Sequence, residues 1–177
     1  VAYRMKLIGD QHPRHKAALQ LAVDKSGYGK KKLDAGRAWG VAVHESFNSV
    51  VAYVVEASVK DGTPVLHNVT AGVHCNLAVN PKSVEAQVQG GALMGLSMCL
   101  PGAAITLKDG VVQQSNFGDF VVPRITDMPQ IAVHIVPSAD APTGMGQPGG
   151  PPLAPAFPNA VAAITGKPVR ELPFKLA

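Results

Sequence analysis

One polar side chain, that of Gln147, lies in a stretch of backbone that can hold it in one place. The stretch is Thr143–Pro152, in which glycines and prolines predominate. Glycine permits positive φ and close approach of another group to the main chain, whereas proline fixes φ and keeps the path rigid. Pro151 and Pro152 suit the first turn of a following helix, so the N–H groups of the loop and the helix can together face an anion. The same composition is also typical of a plain structural turn.

A second amide, Gln87, lies on a predicted helix that has glycines in its middle. Asn80 is a good N-cap and Pro81 suits the first helical position, so we expect a helix from there to about Leu100. The glycines inside it are Gly90, Gly91 and Gly95. A glycine within a helix costs up to about 1 kcal/mol relative to alanine, so three of them need a packing or ligand reason.

These segments carry a resemblance to a known family. The matching residues are Gly36-Arg37, Gly40–Ala42, His44–Phe47, Asn80 with Pro81, Gln87, Gly90, Gly91, Gly95, Gln114–Phe120, Gly144–Gly149, Pro151–Ala156, Asn159-Ala160, Thr165–Lys167 and Leu172-Pro173. Together they resemble the carboxyl end of the molybdopterin-binding large subunit of the xanthine dehydrogenase and aldehyde oxidase family. The likeness is greatest to the isoquinoline 1-oxidoreductase beta-subunit branch.

The resemblance implies a catalytic role at position 147. In the family this loop usually contains Gly-x-Gly-Glu-Pro, and the Glu is the base that takes the proton from the hydroxyl on molybdenum. This sequence has Gln147 at that position. An amide has no basic lone pair that accepts a proton at neutral pH, so the departure affects the residue on which the chemistry depends.

The resemblance also implies the residues that contact the cofactor. Gln87, Gly90, Gly91 and Gly146 match positions close to the molybdopterin, and the Gln at position 87 can donate to the pterin. The alternative for Gln87 is a surface amide on an amphipathic helix. The segment Gln114–Phe120 would border the cofactor and substrate funnel, or it is a turn in which Asn and Asp satisfy their own backbone.

The resemblance further implies a molybdenum–molybdopterin dinucleotide, in its cytosine form, and iron–sulfur clusters on a partner chain. Residues 1–177 would be the C-terminal molybdopterin-binding region, a fragment or processed chain of a larger subunit. Its partners would be the rest of that subunit, an iron–sulfur subunit and a small heterocycle or aldehyde. Relatives are periplasmic or cytoplasmic bacterial proteins, and the sequence does not choose between these compartments.

Composition excludes several other classes of protein. Charged residues are only 16% of 177, and the net charge of +4 comes from scattered Lys and Arg with few aromatics between them, so no nucleic-acid role is expected. No run of about 18 apolar residues is present, so no transmembrane segment is predicted. The two cysteines, Cys75 and Cys99, lack the spacing of a zinc or iron–sulfur site. His44 and Glu45 have no second ligand pair, so no metal ligands are predicted.

The elements that must position Gln87 and Gln147 indicate an α+β fold. Antiparallel strands are expected at Gly40–Glu45, Ser49–Lys60 and Val65–Val73, followed by a hairpin around Asp109-Gly110 and a further strand at Ile131–Val136. Three helices are expected: Pro13–Ser26, the one that begins at Pro81, and one after Pro152. The fold class is therefore antiparallel strands and hairpins packed with three helices, as part of a larger molybdenum-binding domain.

Two other functions remain open beside a molybdenum hydroxylase. The first is a non-catalytic module that binds the cofactor or holds the assembly together, because Gln147 leaves it without a base. The second is a free-standing α+β domain that binds a small anion at the glycine-rich loop.

Overall fold

The computed structural model describes residues 1–175, in which four α-helices pack around a four-stranded sheet. The helices are α1 (Ala2–Ile8), α2 (Pro13–Ser26), α3 (Pro81–Cys99) and α4 (Leu153–Thr165). The strands are β1 (Arg37–Ser46), β2 (Ser49–Lys60), β3 (Thr63–His74), β4 (Leu107–Lys108), β5 (Val111–Val112) and β6 (Gln130–Ile135). Two single 3₁₀ turns cover Phe117–Asp119 and Ile125–Asp127.

The large sheet has the strand order β1-β2-β3-β6. The first three strands form an antiparallel meander with tight connections, and β6 joins the edge of β3 in parallel, with Asn68 opposite Gln130 and Val73 opposite Ile135. Because parallel neighbours need a crossover, the chain between β3 and β6 carries α3 and the small β4–β5 hairpin. The helix that bears Gln87 is therefore part of this crossover.

Strand β2 is buried along most of its length, which explains its continuous apolar run. On one face, Val50, Ala52 and Val54 pack against α2. On the other face, Val51 and Tyr53 belong to the larger core that includes α3 and α4. A strand covered on both faces has no solvent side, so its sequence does not alternate between apolar and polar residues.

Two glycines let the helices approach the sheet backbone closely. A Cβ atom built on Gly40 of β1 would lie 2.0 Å from the carbonyl oxygen of Ala156 in α4. A Cβ atom built on Gly72 of β3 would lie 2.0 Å from the carbonyl oxygen of Ala18 in α2. Since no side chain fits at such distances, both positions require glycine.

Glu56 is a buried carboxylate in the middle of β2, only 1% exposed. Its oxygens accept hydrogen bonds from Arg37 Nη1 at 2.5 Å, from Lys31 Nζ at 3.0 Å and from Asn68 Nδ2 at 3.0 Å. Burial alone raises the pKa of Glu56, but these three donors outweigh it and hold the pKa below its usual value. The ionised carboxylate therefore ties the loop before β1 to the centre of the sheet.

The α+β class predicted from the sequence is confirmed. Helix α2 has the expected bounds, and α3 ends at Cys99, one residue before the expected end. The short helix α1 was not expected from the sequence. None of its residues is buried and no side chain caps it, so it lacks the local signals that mark a helix. The strand at Gln130–Ile135 is parallel to its neighbour, whereas the other pairs are antiparallel. Among residues 1–175, no helix combines the length and apolar character that crossing a bilayer requires.

Candidate functional site

The structure brings the two amides of interest to one surface. Gln87 on α3 donates from Nε2 to the carbonyl oxygen of Gly146 at 3.0 Å, although the two residues are 59 positions apart. Gln147 is the next residue along the loop. Gln87, Gly146 and Gln147 are all exposed, so the three expected site residues lie side by side on the surface of residues 1–175.

The loop that carries Gln147 is held by its own backbone. The carbonyl oxygen of Gln147 accepts a hydrogen bond from Gly150 N at 2.9 Å, and that of Gly150 accepts one from Leu153 N at 3.3 Å. Pro148 and Gly149 are buried beneath this turn. The side chain of Gln147 has no hydrogen-bond partner within the described part of the chain, so both its N–H groups and its oxygen are available.

The helical glycines are of two kinds. A Cβ on Gly91 would lie 2.8 Å from the carbonyl carbon of Gly149, and one on Gly95 would lie 2.7 Å from the carbonyl oxygen of Gly150. These two glycines let α3 pack directly on the loop backbone. Gly90, in contrast, has no heavy atom within 4 Å of where its Cβ would be. Close packing within this chain therefore explains Gly91 and Gly95 but not Gly90.

Gly146 resembles Gly90 in this respect. It is exposed, and a Cβ built on it would also meet nothing within 4 Å. Both glycines thus face open space next to Gln87 and Gln147. Their backbone leaves room for a group from outside the chain.

Tyr53 holds the loop to α3 from below, a role that sequence reasoning missed. Its side chain is fully buried, and its hydroxyl donates to the carbonyl oxygen of Gly149 at 2.7 Å. The same hydroxyl lies 3.3 Å from the carbonyl oxygen of Val88 in α3. Burial raises the pKa of Tyr53 far above its usual value, so the hydroxyl keeps its proton and remains a donor. Tyr53 fell in an apolar run that indicated only a strand.

The start of the loop is anchored at the turn between β1 and β2. Gly144 N donates to the carbonyl oxygen of Phe47 at 3.1 Å, and the hydroxyl oxygens of Ser49 and Thr143 are 2.6 Å apart. Phe47 has a positive φ of 52° and is 62% exposed. An apolar side chain is thus held at the surface where the loop begins.

The other candidates from the sequence lie elsewhere or have other partners. The carboxylate of Glu45 lies 3.1 Å from His15 Nε2, and residues 1–175 contain no group of three or more His, Cys, Asp or Glu side chains that could hold a metal ion. In the segment Gln114–Phe120, Asn116 Oδ1 accepts from Phe117 N and Asp119 accepts from the backbone of Ser115. These are the contacts of a turn that satisfies its own backbone.

Comparison with known proteins identifies the family. A sequence model described as the molybdopterin cofactor-binding domain matches residues 11–129. The chain belongs to this family. It is a partial molybdenum-binding domain of the xanthine dehydrogenase and aldehyde oxidase family, as the motifs predicted.

Relatives of this molybdopterin-binding domain are much longer than the chain. It is 33% identical over 169 residues to the isoquinoline 1-oxidoreductase subunit beta of Brevundimonas diminuta, covering 93% of the chain and 22% of that protein. It is 29% identical over 172 residues to a protein of Gluconacetobacter polyoxogenes named membrane-bound aldehyde dehydrogenase [pyrroloquinoline-quinone], with the same coverage of 93% and 22%. The chain therefore spans about a fifth of the length of these curated relatives.

A solved structure shows the same fold. The crystal structure of the Cu,Mo carbon monoxide dehydrogenase superposes with a TM-score of 0.60 at 22% sequence identity, covering 67% of this chain and 16% of that one. At this level of identity the likeness concerns the fold of the molybdopterin-binding domain.

The exposed surface of the domain suits a pterin. A pterin ring carries amide-like donors and acceptors along its edge, and this surface offers the two amides of Gln87 and Gln147. Gly90 and Gly146 leave the backbone beside them uncovered. The Nε2 atom of Gln87 has a second N–H beyond the one given to Gly146, so it can still donate to a ligand. The residues present therefore fit the cofactor for which the family is named.

Proposed function

We propose that this chain is the C-terminal part of the molybdopterin-binding subunit of a molybdenum hydroxylase. The enzyme would oxidise an N-heterocycle or an aldehyde and take the oxygen atom from water. The observation that carries this proposal is the hydrogen bond from Gln87 to Gly146, because it joins the glycine-bearing helix and the Gln147 loop into one uncovered amide surface.

The bound molybdenum cofactor would supply the redox and oxygen-transfer chemistry. The residues of this chain would orient it. Gln87 would donate to the pterin, and Gly90 and Gly146 would let the ring lie against the backbone. Since the proposed ligand is a dinucleotide in its cytosine form, mild acid hydrolysis of the purified assembly should release a cytosine nucleotide together with molybdenum.

Gln147 would lie where the family has its general base. Its side chain is exposed and free to hydrogen-bond, and the proline-flanked turn restricts its position. An amide orients a water or a substrate heteroatom by hydrogen bonding, but it does not accept a proton at neutral pH. The proton-transfer step would therefore be slow in the protein with Gln147.

Restoring the carboxylate tests this role. General-base catalysis is typically worth about 10²–10⁴-fold in rate, so Gln147→Glu in the complete cofactor-loaded assembly should raise turnover of a heterocycle or aldehyde by that order. Activity of this variant should fall at low pH as the carboxylate becomes protonated. Gln130→Glu is the matched control, because Gln130 is exposed and pairs with Asn68, away from the loop. Equal turnover by the parent and the Gln147→Glu variant would show that the proton is taken elsewhere.

A non-catalytic module is the second candidate, and the identity of Gln147 favours it. Such a module would bind the cofactor or hold subunits together without turnover. It predicts that the Gln147→Glu variant contains molybdenum in full amount and remains inactive. The proposed partners are the rest of the molybdenum-binding subunit and an iron–sulfur subunit. Co-purification of these chains, together with the metal content of each chain, tests both partners.

A further inference from the structure

The segment between α3 and β6, residues 103–128, is an arm that makes its hydrogen bonds within itself and with its base. The backbone of Val121 donates to the carbonyl oxygen of Gly102 at 3.1 Å, which closes the base of the arm. Within the arm, Gln113 N donates to the carbonyl oxygen of Thr106 at 2.9 Å. None of residues 103–128 is buried, and none belongs to either hydrophobic core. In the chain as described, the arm is therefore attached but uncovered.

Much of the surface of this arm is apolar. Those that are large and exposed are Ile105, Leu107, Val111, Val112, Phe117, Val121, Val122, Ile125 and Met128. Phe117 is 99% exposed and Ile125 is 90% exposed. Single exposed apolar residues are ordinary on protein surfaces, but nine large ones within one arm mark an interaction surface.

The polar groups of the arm are used to shape it. Asp119 Oδ2 accepts from Asn116 N at 3.1 Å, and Asp127 Oδ2 accepts from Arg124 N at 2.9 Å. These bonds form the two 3₁₀ turns from which Phe117 and Ile125 are exposed. The carboxylates thus serve the arm's own backbone.

The charges of the arm do not suit a nucleic acid or an anionic lipid surface. Its charged residues are Lys108, Asp109, Asp119, Arg124 and Asp127, so two positive charges face three negative ones. Nucleic acids and anionic membranes both select an excess of Lys and Arg. An apolar protein face is the occupant that this surface suits best.

The comparisons indicate which protein that face belongs to. The arm lies within residues 11–129, which match the family model, so it is a regular part of the domain. The chain corresponds to only 22% of its curated relative, and the remaining part of such a subunit has no counterpart among these residues. We propose that the arm packs its apolar side chains into the remaining part of the molybdenum-binding subunit. This inference rests on the proposed function only in assuming that such a subunit exists.

The packing of the arm would also stabilise the position of α3. The arm follows directly from the C-terminal end of α3, the helix that carries Gln87 and Gly90. A two-stranded hairpin by itself is marginally stable in water, so β4 and β5 need a supporting surface. Docking of the arm would thus fix the far end of the helix whose other half faces the cofactor.

Hydroxyl-radical footprinting of the complete subunit, without its partner subunit, tests the proposal. Labelling of Phe117 and Ile125 is compared with labelling of the same residues in the unfolded subunit. We expect both to be strongly protected, and equally so with and without the cofactor. Labelling at the unfolded rate would overturn the proposal. Protection that appears only after an iron–sulfur subunit is added, or that disappears on dilution as expected for a second copy, would overturn it as well.

A pair of variants gives an independent measurement. Phe117→Asp should raise the equilibrium constant for local opening of the arm, measured by native-state hydrogen exchange, by at least about tenfold, since burying a Phe side chain is worth more than one tenfold step. Gln113→Asp, which places the same carboxylate at an exposed polar position of the arm, should have little effect. Equal opening of the arm in the two variants would contradict the proposal. The arm could also prove to be protected in a subunit that never binds molybdopterin. That result would support the packing of the arm and refute only the proposed function.

Discussion

The adjacent glycines of α3 allow a test in which two nearly identical substitutions have clearly different expected effects. Gly90→Ala and Gly91→Ala add the same methyl group to the same helix, one residue apart. Both gain about 1 kcal/mol of helix propensity. Only at Gly91 does the methyl group meet backbone, 2.8 Å from the carbonyl carbon of Gly149 and 2.9 Å from Gly150 N. The loop backbone or the helix must therefore move in that variant.

The magnitude follows from a comparison of the two variants. Inserting a methyl group into a well-packed contact typically costs about 1–3 kcal/mol. Because the helix-propensity gain is common to both variants, their difference in stability equals this cost. We expect Gly90→Ala to be more stable than the parent by up to about 1 kcal/mol, and Gly91→Ala to be less stable than Gly90→Ala by about 1–3 kcal/mol. The larger Gly91→Val should be worse still.

Native-state hydrogen exchange of α3 amides in the cofactor-free subunit measures these differences locally, without assuming that a large subunit unfolds in one step. Molybdenum content of the assembled protein is the second measurement. If the pterin lies against Gly90, then Gly90→Ala should lose cofactor although it gains stability. Equal exchange protection in the two alanine variants would refute the packing argument, and full molybdenum content in Gly90→Ala would refute the role of Gly90.

Two further predictions concern buried polar groups. Tyr53→Phe leaves the carbonyl oxygen of Gly149 without its donor, so we expect a loss of about 1–3 kcal/mol and faster amide exchange in the loop, with the exposed Tyr3→Phe as the control. The folded-state pKa of Glu56 lies below its ordinary value of 4.5, so its stabilising effect is present above that pH and is lost as the pH falls through the folded-state pKa. The stability difference between the parent and Glu56→Gln, measured at each pH by native-state hydrogen exchange of β2 amides, should therefore be greatest near neutral pH and shrink below about pH 4.5. A constant difference from about pH 7 to about pH 3 would contradict the pKa assignment.

Local sequence signals predicted the elements that depend on local chemistry. Asn80 accepts from Ser83 N at 3.2 Å, as expected of an N-cap, and Pro81 occupies the first helical position. Helix α4, which was expected after Pro152, ends at Gly166 in the left-handed conformation that glycine favours at a helix C-terminus. Such features could be predicted because residues close in sequence determine them.

Features that depend on contacts between distant segments could not be predicted in this way. The bond between Gln87 and Gly146 joins segments 59 positions apart, and no local pattern indicates it. Tyr53 serves the loop through its hydroxyl, yet in the sequence it is one aromatic residue in a strand. For the helical glycines, the sequence predicted only a packing or ligand role in general. The structure divides them into Gly91 and Gly95, which contact the loop, and Gly90, which does not.

The close contacts at Gly40 and Gly72 also restrict the helix residues that lie over them. In each case a strand glycine lies under a helix that presents two alanines four residues apart, Ala156 and Ala160 over Gly40, and Ala18 and Ala22 over Gly72. The spacing arises from the helix pitch, which brings residues i and i+4 over the same point of the sheet. A larger residue at any of these alanines would therefore push the helix away from the sheet, just as a side chain at either glycine would.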